Sequence, residues 1–99
     1  MNTEVKTVAE YIRVTGTVQG VGFRPTVWRL AREHHLLGAV WNDAEGVVIQ
    51  AWGAPAALDS FVARLRQAPP PLARITDVRR TAFTGLAPPD AFTILASRD

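Results

Sequence analysis

Apolar and polar residues alternate along the first structured segment of the chain. From Val8 onwards, one face of the pattern is apolar apart from a glycine and the other is mostly polar, as a half-buried strand requires. The two sets are Ile12, Val14, Gly16 and Val18 on one side and Tyr11, Arg13, Thr15 and Thr17 on the other. The residues before this pattern are mostly polar, so the sequence predicts a flexible N-terminal tail over residues 1–8 and one domain over residues 9–97.

Two later segments carry apolar residues at helical spacing. The first follows a glycine-rich segment, and its apolar face consists of Phe23, Val27, Leu30, Ala31 and His34. It should end near His35, with Gly38 in the turn that follows. The second begins at Pro55 and is stopped by the prolines at 69–71, and its apolar face consists of Leu58, Phe61, Val62 and Leu65.

A hairpin is predicted between the two helices. Its strands are residues 39–42 and 47–53, joined by the four residues Asp43–Gly46. Alternation places Val40, Asn42, Val47, Ile49 and Ala51 on one face and Trp41, Val48, Gln50 and Trp52 on the other. If the first face meets the helices, Asn42 ends beside the glycine-rich segment. Trp41 and Trp52 form either a docking surface or a partly buried pair, and the sequence leaves both open.

A fourth strand over residues 75–84 and a short last strand over residues 92–95 complete the pattern. The order strand, helix, strand, strand, helix, strand is that of a ferredoxin-like split βαβ sandwich in the α+β class. The prediction is an antiparallel sheet with both helices on one face and a short additional edge strand.

Composition limits the classes of function. The chain has 99 residues, of which 47% are hydrophobic and 20% charged, and its net charge is +2 with dispersed arginines. These values favour attraction for small anions over a nucleic-acid partner, and no apolar run is long enough to span a membrane. A cytoplasmic protein is therefore expected. The chain has no cysteine and only two histidines, the adjacent His34 and His35, so no metal site is expected.

The most informative stretch runs from Val14 to Pro25 and contains three glycines and an arginine. It leads from the first strand into the first helix, where backbone amides lack partners and the helix dipole is positive. Glycine lets such a loop turn with positive φ and lets an anion approach its amides, and Arg24 adds a planar charged fork. Neither general nucleotide-loop pattern is present, and on spacing alone a tight connection with an incidental arginine explains the stretch equally well.

The stretch resembles the signature of the acylphosphatase family, in the form Val-x-Gly-x-Val-Gln-Gly-Val-Gly-Phe-Arg over residues 14–24. Because proline follows the arginine, it is more similar to the N-terminal acylphosphatase-like domain of the hydrogenase maturation carbamoyltransferases (HypF) than to free-standing acylphosphatases. The resemblance extends from about Tyr11 to Ser97. It includes Asn42, which matches the second site residue of the family.

The resemblance implies hydrolysis of an acyl phosphate without a cofactor. It makes Arg24 and Asn42 the catalytic residues, and it assigns phosphate binding to the backbone of Gln19, Gly20, Val21, Gly22, Phe23 and Arg24. Asn42 would orient the attacking water, although an asparagine before Asp43 at a hairpin is by itself most often a turn residue. The nearby acidic residues are expected to be solvated, since a carboxylate beside the phosphate would repel it. They are Asp43, Glu45 and Asp77.

The substrate implied by the resemblance is carbamoyl phosphate, hydrolysed to carbamate and phosphate. The carbamate would pass to downstream domains of the same polypeptide, which activate it for the cyanide ligands of a nickel-iron centre in a hydrogenase maturation partner. A free-standing acylphosphatase acting on small carboxyl phosphates is the alternative. A module that binds single-stranded RNA has the same strand order, but the third strand offers no stacking aromatic residue before Trp52.

Overall fold

The computed structural model describes residues 6–98, which contain five strands and two helices. In chain order they are β1 (Val8–Thr17), α1 (Phe23–Glu33), β2 (Leu37–Asp43), β3 (Gly46–Gly53), α2 (Pro55–Gln67), β4 (Arg74–Phe83) and β5 (Phe92–Ile94). Of the predicted tail, residues 1–5 lie outside the described residues, and Val8 pairs with Gly53 as the first residue of β1. Within residues 6–98, neither helix has the length and apolar character that a membrane crossing needs.

The strands form one sheet in the order β4-β1-β3-β2-β5. β1 lies between β3 and β4 and is antiparallel to both, and β2 is antiparallel to β3. β5 is the exception, because it runs parallel to β2. β2 runs in the opposite direction to β4. Because the chain reverses direction after β4, the edge strand β5 runs in the same direction as β2. The predicted ferredoxin-like split βαβ fold is confirmed, with a mostly antiparallel sheet.

Both helices pack on the same face of the sheet. The buried residues of α1 are Phe23, Val27, Leu30 and Ala31, and those of α2 are Leu58, Phe61, Val62 and Leu65. The sheet face beneath them consists of the fully enclosed residues Ile12, Val14, Val40, Val47, Ile49 and Ala51. Helical spacing in the sequence therefore predicted the core-facing residues correctly, except that His34 is only half-buried.

The end of α1 differs from the prediction. The helix ends at Glu33, and His35 adopts a left-handed conformation with φ of 57°. The amide of Leu36 donates to the carbonyl oxygen of Ala31 at 2.9 Å, as in a Schellman cap. His35 thus takes the position that glycine often takes after a helix, while Gly38 lies inside β2.

The connection between β4 and β5 partly covers the outer face of the sheet. Trp52 is only 6% exposed, because the ring of Phe83 packs edge-on at a centroid distance of 5.3 Å and the indole Nε1 donates to the carbonyl oxygen of Leu86. Trp41 is half-buried beneath the guanidinium of Arg98, which lies 4.6 Å from its ring centre. The two tryptophans lie on the face that alternation predicted, but partial burial, and not an exposed aromatic pair, is the correct interpretation.

Truncation of a core leucine on α2 tests this packing. Leu58 is fully enclosed, whereas Leu72, in the connection between α2 and β4, is 75% exposed. Leu58→Ala should lower the free energy of unfolding by about 2–5 kcal/mol, because it leaves a cavity in the core. Leu72→Ala, the same chemical change at the surface, should alter it by less than about 0.5 kcal/mol. Urea denaturation measures both values, and equal losses would contradict the assigned core.

Candidate active site

Residues 18–22 form the loop that joins β1 to α1. Gly20 and Gly22 both adopt left-handed backbone conformations, with φ of 73° and 77°. A Cβ at either position would meet no atom within 4 Å, so the backbone conformation and not a lack of space favours glycine there. Val18 before the glycines and Phe23 after them are buried in the core and fix the two ends of the loop.

The backbone amides of residues 19–24 donate to no protein acceptor within residues 6–98. Gly22 is the N-cap of α1, and no side chain caps this end of the helix. The first amide to pair is that of Thr26, which donates to the carbonyl oxygen of Gly22 at 3.4 Å, since Pro25 has no amide hydrogen. Unpaired amides at the positive end of a helix dipole attract an anion. The loop is therefore suited to a phosphate group.

Arg24 lies in the first turn of α1, beside this loop. Its Nη1 donates to the carbonyl oxygen of Leu95 at 3.1 Å, and the amide of Leu95 donates to the carbonyl oxygen of Val40 in β2 at 2.9 Å. Among the described residues, no carboxylate forms an ion pair with Arg24. Its remaining N–H groups and its uncompensated charge are therefore available to an anion.

Asn42, near the end of β2, is only 9% exposed and shares the helix-facing side of the strand with Val40. Its Oδ1 is enclosed and accepts no hydrogen bond from the part of the chain that the structure describes. Its backbone carbonyl oxygen accepts from the amide of Arg98 at 2.7 Å. A buried acceptor without a donor costs about 1–3 kcal/mol, so this oxygen is a place where a water molecule or a ligand is expected to bind.

The segment after β5 contacts both Arg24 and the backbone of Asn42. Residues 95–98 run alongside β2, where Leu95 accepts from Arg24 and Arg98 donates to Asn42. Both side chains that the sequence assigned to catalysis thus lie at one end of the sheet, and their catalytic roles stay predictions. Within residues 6–98, no group of three or more histidine, aspartate or glutamate side chains is placed to hold a metal ion.

Gln19 connects the loop to the turn between β2 and β3 through its side chain. Its Nε2 donates to the carbonyl oxygen of Asp43 at 2.6 Å and to that of Gly46 at 2.9 Å. From the sequence, only the backbone of Gln19 was assigned to the site. No local pattern shows that this turn will lie beside the loop, so the sequence carries no signal for the side-chain contact.

The sequence predicts Asp43 to be a solvated turn residue, but its carboxylate is paired. Its carboxylate receives hydrogen bonds from Arg13 at 2.9 and 2.8 Å, and it accepts from the amides of Glu45 and Gly46. These contacts, with the Arg13 guanidinium first, lower the pKa of Asp43 to about 2. Asp43 pairs with Gly46 across a two-residue turn at 44–45, in place of the four-residue connection that the sequence predicted. The paired carboxylate therefore shapes the end of the hairpin.

Comparison with known proteins extends this description of the site. The family model for acylphosphatase matches residues 10–94. The chain belongs to the acylphosphatase family. Its enzyme class is accordingly that of an acylphosphatase-type hydrolase, as the resemblance of the loop implied.

Relatives of this chain include both long and short proteins. The chain is 50% identical over 92 residues to carbamoyltransferase HypF2 of Cupriavidus necator, a match that covers 93% of this chain and 11% of that protein. A crystal structure of full-length HypF in its phosphate- and nucleotide-bound form superposes with a TM-score of 0.92 at 28% identity, over 100% of this chain and 13% of that one. The acylphosphatase of Bacillus subtilis superposes with a TM-score of 0.80 at 36% identity, over 91% of this chain and 99% of that one. The chain is thus related both to one domain of HypF and to free-standing acylphosphatases.

The ion pair between Arg13 and Asp43 predicts how the stability of the folded chain varies with pH. In the folded chain the pKa of Asp43 is about 2, below its ordinary value of 3.8. The ion pair therefore adds to the free energy of unfolding above about pH 4, and this contribution is lost as the pH falls through 2. Titration of side-chain carboxyl carbons by NMR should give Asp43 a midpoint near 2 in the wild type. Arg13→Met should move that midpoint upwards, because it removes the largest cause of the shift.

A second arginine variant serves as the control for this titration. Arg66 lies on α2 and is exposed, so Arg66→Met should leave the Asp43 midpoint unchanged. A wild-type midpoint at an ordinary aspartate value, or equal shifts in both variants, would contradict the pairing.

Proposed function

We propose that this chain hydrolyses carbamoyl phosphate to carbamate and phosphate. The backbone amides of residues 19–24 hold the phosphate, and Asn42 orients the attacking water. The observation that carries the proposal is the buried Oδ1 of Asn42, which has no donor among the described residues, close to a loop whose amides have no acceptor there. These groups suit a ligand that supplies a hydrogen-bond donor for the Asn42 oxygen and acceptors for the loop amides. An acyl phosphate with its attacking water has this combination of groups.

The loop and Arg24 form the phosphate-binding part of the proposed site. Each amide directed at a phosphate oxygen makes a charge-assisted hydrogen bond, worth about 1.5–3 kcal/mol where water is excluded. Arg24 has N–H groups beyond the one that contacts Leu95, and its planar guanidinium can donate to two phosphate oxygens at once. Binding by these groups requires no metal ion.

Asn42 acts on the water in the proposed mechanism. Its Oδ1 accepts a hydrogen bond from the water, and its Nδ2 donates toward the oxygen that gains charge as the water oxygen attacks the carbonyl carbon. The bond between the carbonyl carbon and the bridging oxygen then breaks, and phosphate leaves with that electron pair. A proton of the water passes to a phosphate oxygen of the substrate. Orientation of the water thus supplies much of the effect, and a protein base is not required.

The neighbouring carboxylate is kept away from this reaction. Asp43 follows Asn42 on β2, and successive residues of a strand point to opposite faces of the sheet. The Asp43 carboxylate accordingly lies on the outer face, where it is paired with Arg13. On the inner face it would repel the phosphate.

The choice of carbamoyl phosphate is supported by the relationship to carbamoyltransferases, at 50% identity over 93% of the chain. We propose that the chain works as one domain of such a protein, whose other domains activate the carbamate for the cyanide ligands of a nickel-iron centre in a hydrogenase maturation partner. A second candidate is a free-standing acylphosphatase that acts on small carboxyl phosphates. The match over 99% of the Bacillus subtilis enzyme favours that alternative.

Replacement of the two assigned side chains tests the mechanism. Asn42→Ala should lower kcat for benzoyl phosphate by roughly two to three orders of magnitude, because a group that orients water and stabilises the oxyanion is lost. Arg24→Ala should both weaken phosphate binding and lower kcat, since the charge is removed. Phosphate release and competitive inhibition by inorganic phosphate measure these effects.

The matched control for the arginine is Arg29→Ala. Arg29 lies on the exposed side of α1 and contacts Glu33, so its loss should leave kcat and phosphate inhibition at wild-type values. Asn42→Ala with the wild-type turnover would rule out the role assigned to Asn42.

A substrate series separates the two candidate functions. Wild-type protein should hydrolyse carbamoyl, acetyl and benzoyl phosphate, because the phosphate that the loop binds is common to all three. As a domain of a carbamoyltransferase, the chain should have its highest kcat/KM for carbamoyl phosphate, measured after subtraction of spontaneous breakdown. A higher kcat/KM for acetyl or benzoyl phosphate would favour the free-standing acylphosphatase.

A further inference from the structure

We infer that the side chain of Gln19 is a positioning group, which fixes the loop that holds the phosphate relative to the strand end that carries Asn42. We call its two hydrogen bonds, to the carbonyl oxygens of Asp43 and Gly46, the Gln19 latch. The inference rests on the proposed function, because it concerns how the two halves of that site are held together. In this role the side chain of Gln19 acts through Asn42 and the loop, while its backbone amide belongs to the phosphate-binding loop itself.

The geometry of the latch places it between the two halves of the site. Nε2 has two N–H groups, and its two bonds of 2.6 and 2.9 Å give each of them an acceptor. The two acceptors belong to Asp43 and Gly46, which are paired with each other at the closed end of the hairpin. Asp43 directly follows Asn42, so the latch ends one residue away from the proposed water-orienting group.

The hairpin end is itself held firmly. The Asp43 carboxylate bonds to Arg13 and to the amides of Glu45 and Gly46. Gly46 also packs so closely on β1 that a Cβ there would collide with the carbonyl oxygen of Val14. A contact with this end therefore ties the loop to a part of the molecule that has little freedom to move.

The loop has few other polar ties. In the described chain, the two bonds of the Gln19 side chain are the only hydrogen bonds made by residues 19–21. Val18 and Phe23 are buried at the ends of the loop, and the half-buried Val21 packs against the core from its middle. These apolar contacts are non-directional, so the Gln19 side chain supplies the directional contact between the loop and the end of β2. Loss of the latch should consequently leave each half of the site formed while the relative position of the halves becomes variable.

This role predicts a specific pattern in the kinetics. Phosphate affinity depends on the loop and Arg24 alone, whereas turnover also requires that the water held by Asn42 be aligned with the bound substrate. Misplacement of a reacting group by about 1 Å costs on the order of a hundredfold in rate. Removal of the latch should therefore lower kcat much more than it weakens the binding of inorganic phosphate.

Gln19→Met tests the inference, because methionine keeps nearly the same length and lacks donors, and Gln19→Ala provides a second variant. Both should lower kcat for benzoyl phosphate by about tenfold to a hundredfold, with the inhibition constant for inorganic phosphate changed by less than about threefold. In an Asn42→Ala background, Gln19→Met should have little further effect on kcat, since the group that the latch positions is already absent. Gln50→Met is the matched control, because the Gln50 side chain donates to the hydroxyl of Tyr11 on the outer face of the sheet.

Each contrary outcome has a distinct meaning. If the wild type is active and Gln19→Met has the same kcat, the latch is only structural, whether or not the Tm of the variant is lower. Equal kcat losses in the wild-type and Asn42→Ala backgrounds would also overturn the inference, because independent effects multiply. A wild type that hydrolyses no acyl phosphate would instead overturn the proposed function, and the inference with it.

Discussion

The candidate site depends on a short backbone segment whose hydrogen-bond donors have no partner within the described chain. Between β1 and α1, Gly20 and Gly22 turn the backbone through left-handed conformations, and the amides of residues 19–24 are left without protein acceptors. Val18 and Phe23 are almost fully buried on either side, at 1% and 2% exposure. Apolar anchoring thus holds the ends of the loop in place of backbone hydrogen bonds. The donors stay available to an anion because the loop does not need them for its own stability.

The two faces of β2 separate reactive and supporting groups. Asn42 lies on the inner face, where its buried Oδ1 has no donor in the part of the chain that is described. Asp43, one residue later, lies on the outer face and is fully occupied by Arg13 and by the amides of the turn. The alternation of a strand therefore allows a carboxylate to stabilise the hairpin without placing its charge beside a bound phosphate.

The segment after β5 joins parts of the site that lie far apart in sequence. Leu95 accepts from Arg24, and the amide of Arg98 donates to the backbone of Asn42. The guanidinium of Arg98 also covers the ring of Trp41 at 4.6 Å, which attaches the segment to the outer face of β2. Residues from the first helix, the second strand and the end of the chain thus converge at one end of the sheet.

The sequence by itself determined the elements, the inner and outer faces and the family. Helical spacing identified the buried sides of α1 and α2, and strand alternation placed Asn42 on the inner face, because both periods are properties of the local backbone. The stretch over residues 14–24 carried the resemblance to the family whose model matches residues 10–94.

Only the tertiary structure decided which distant groups meet. The parallel direction of β5 and the burial of Trp52 follow from the path of the connection after β4, which has no local pattern. Long-range side-chain contacts at the site include those of Gln19 with Asp43 and Gly46, of Arg13 with Asp43, and of Arg24 with Leu95. These contacts join residues on different elements, and their partners are set by strand order and register. Local sequence patterns fix the period of each element but not its neighbours, so the side-chain contacts appear only when the sheet is assembled.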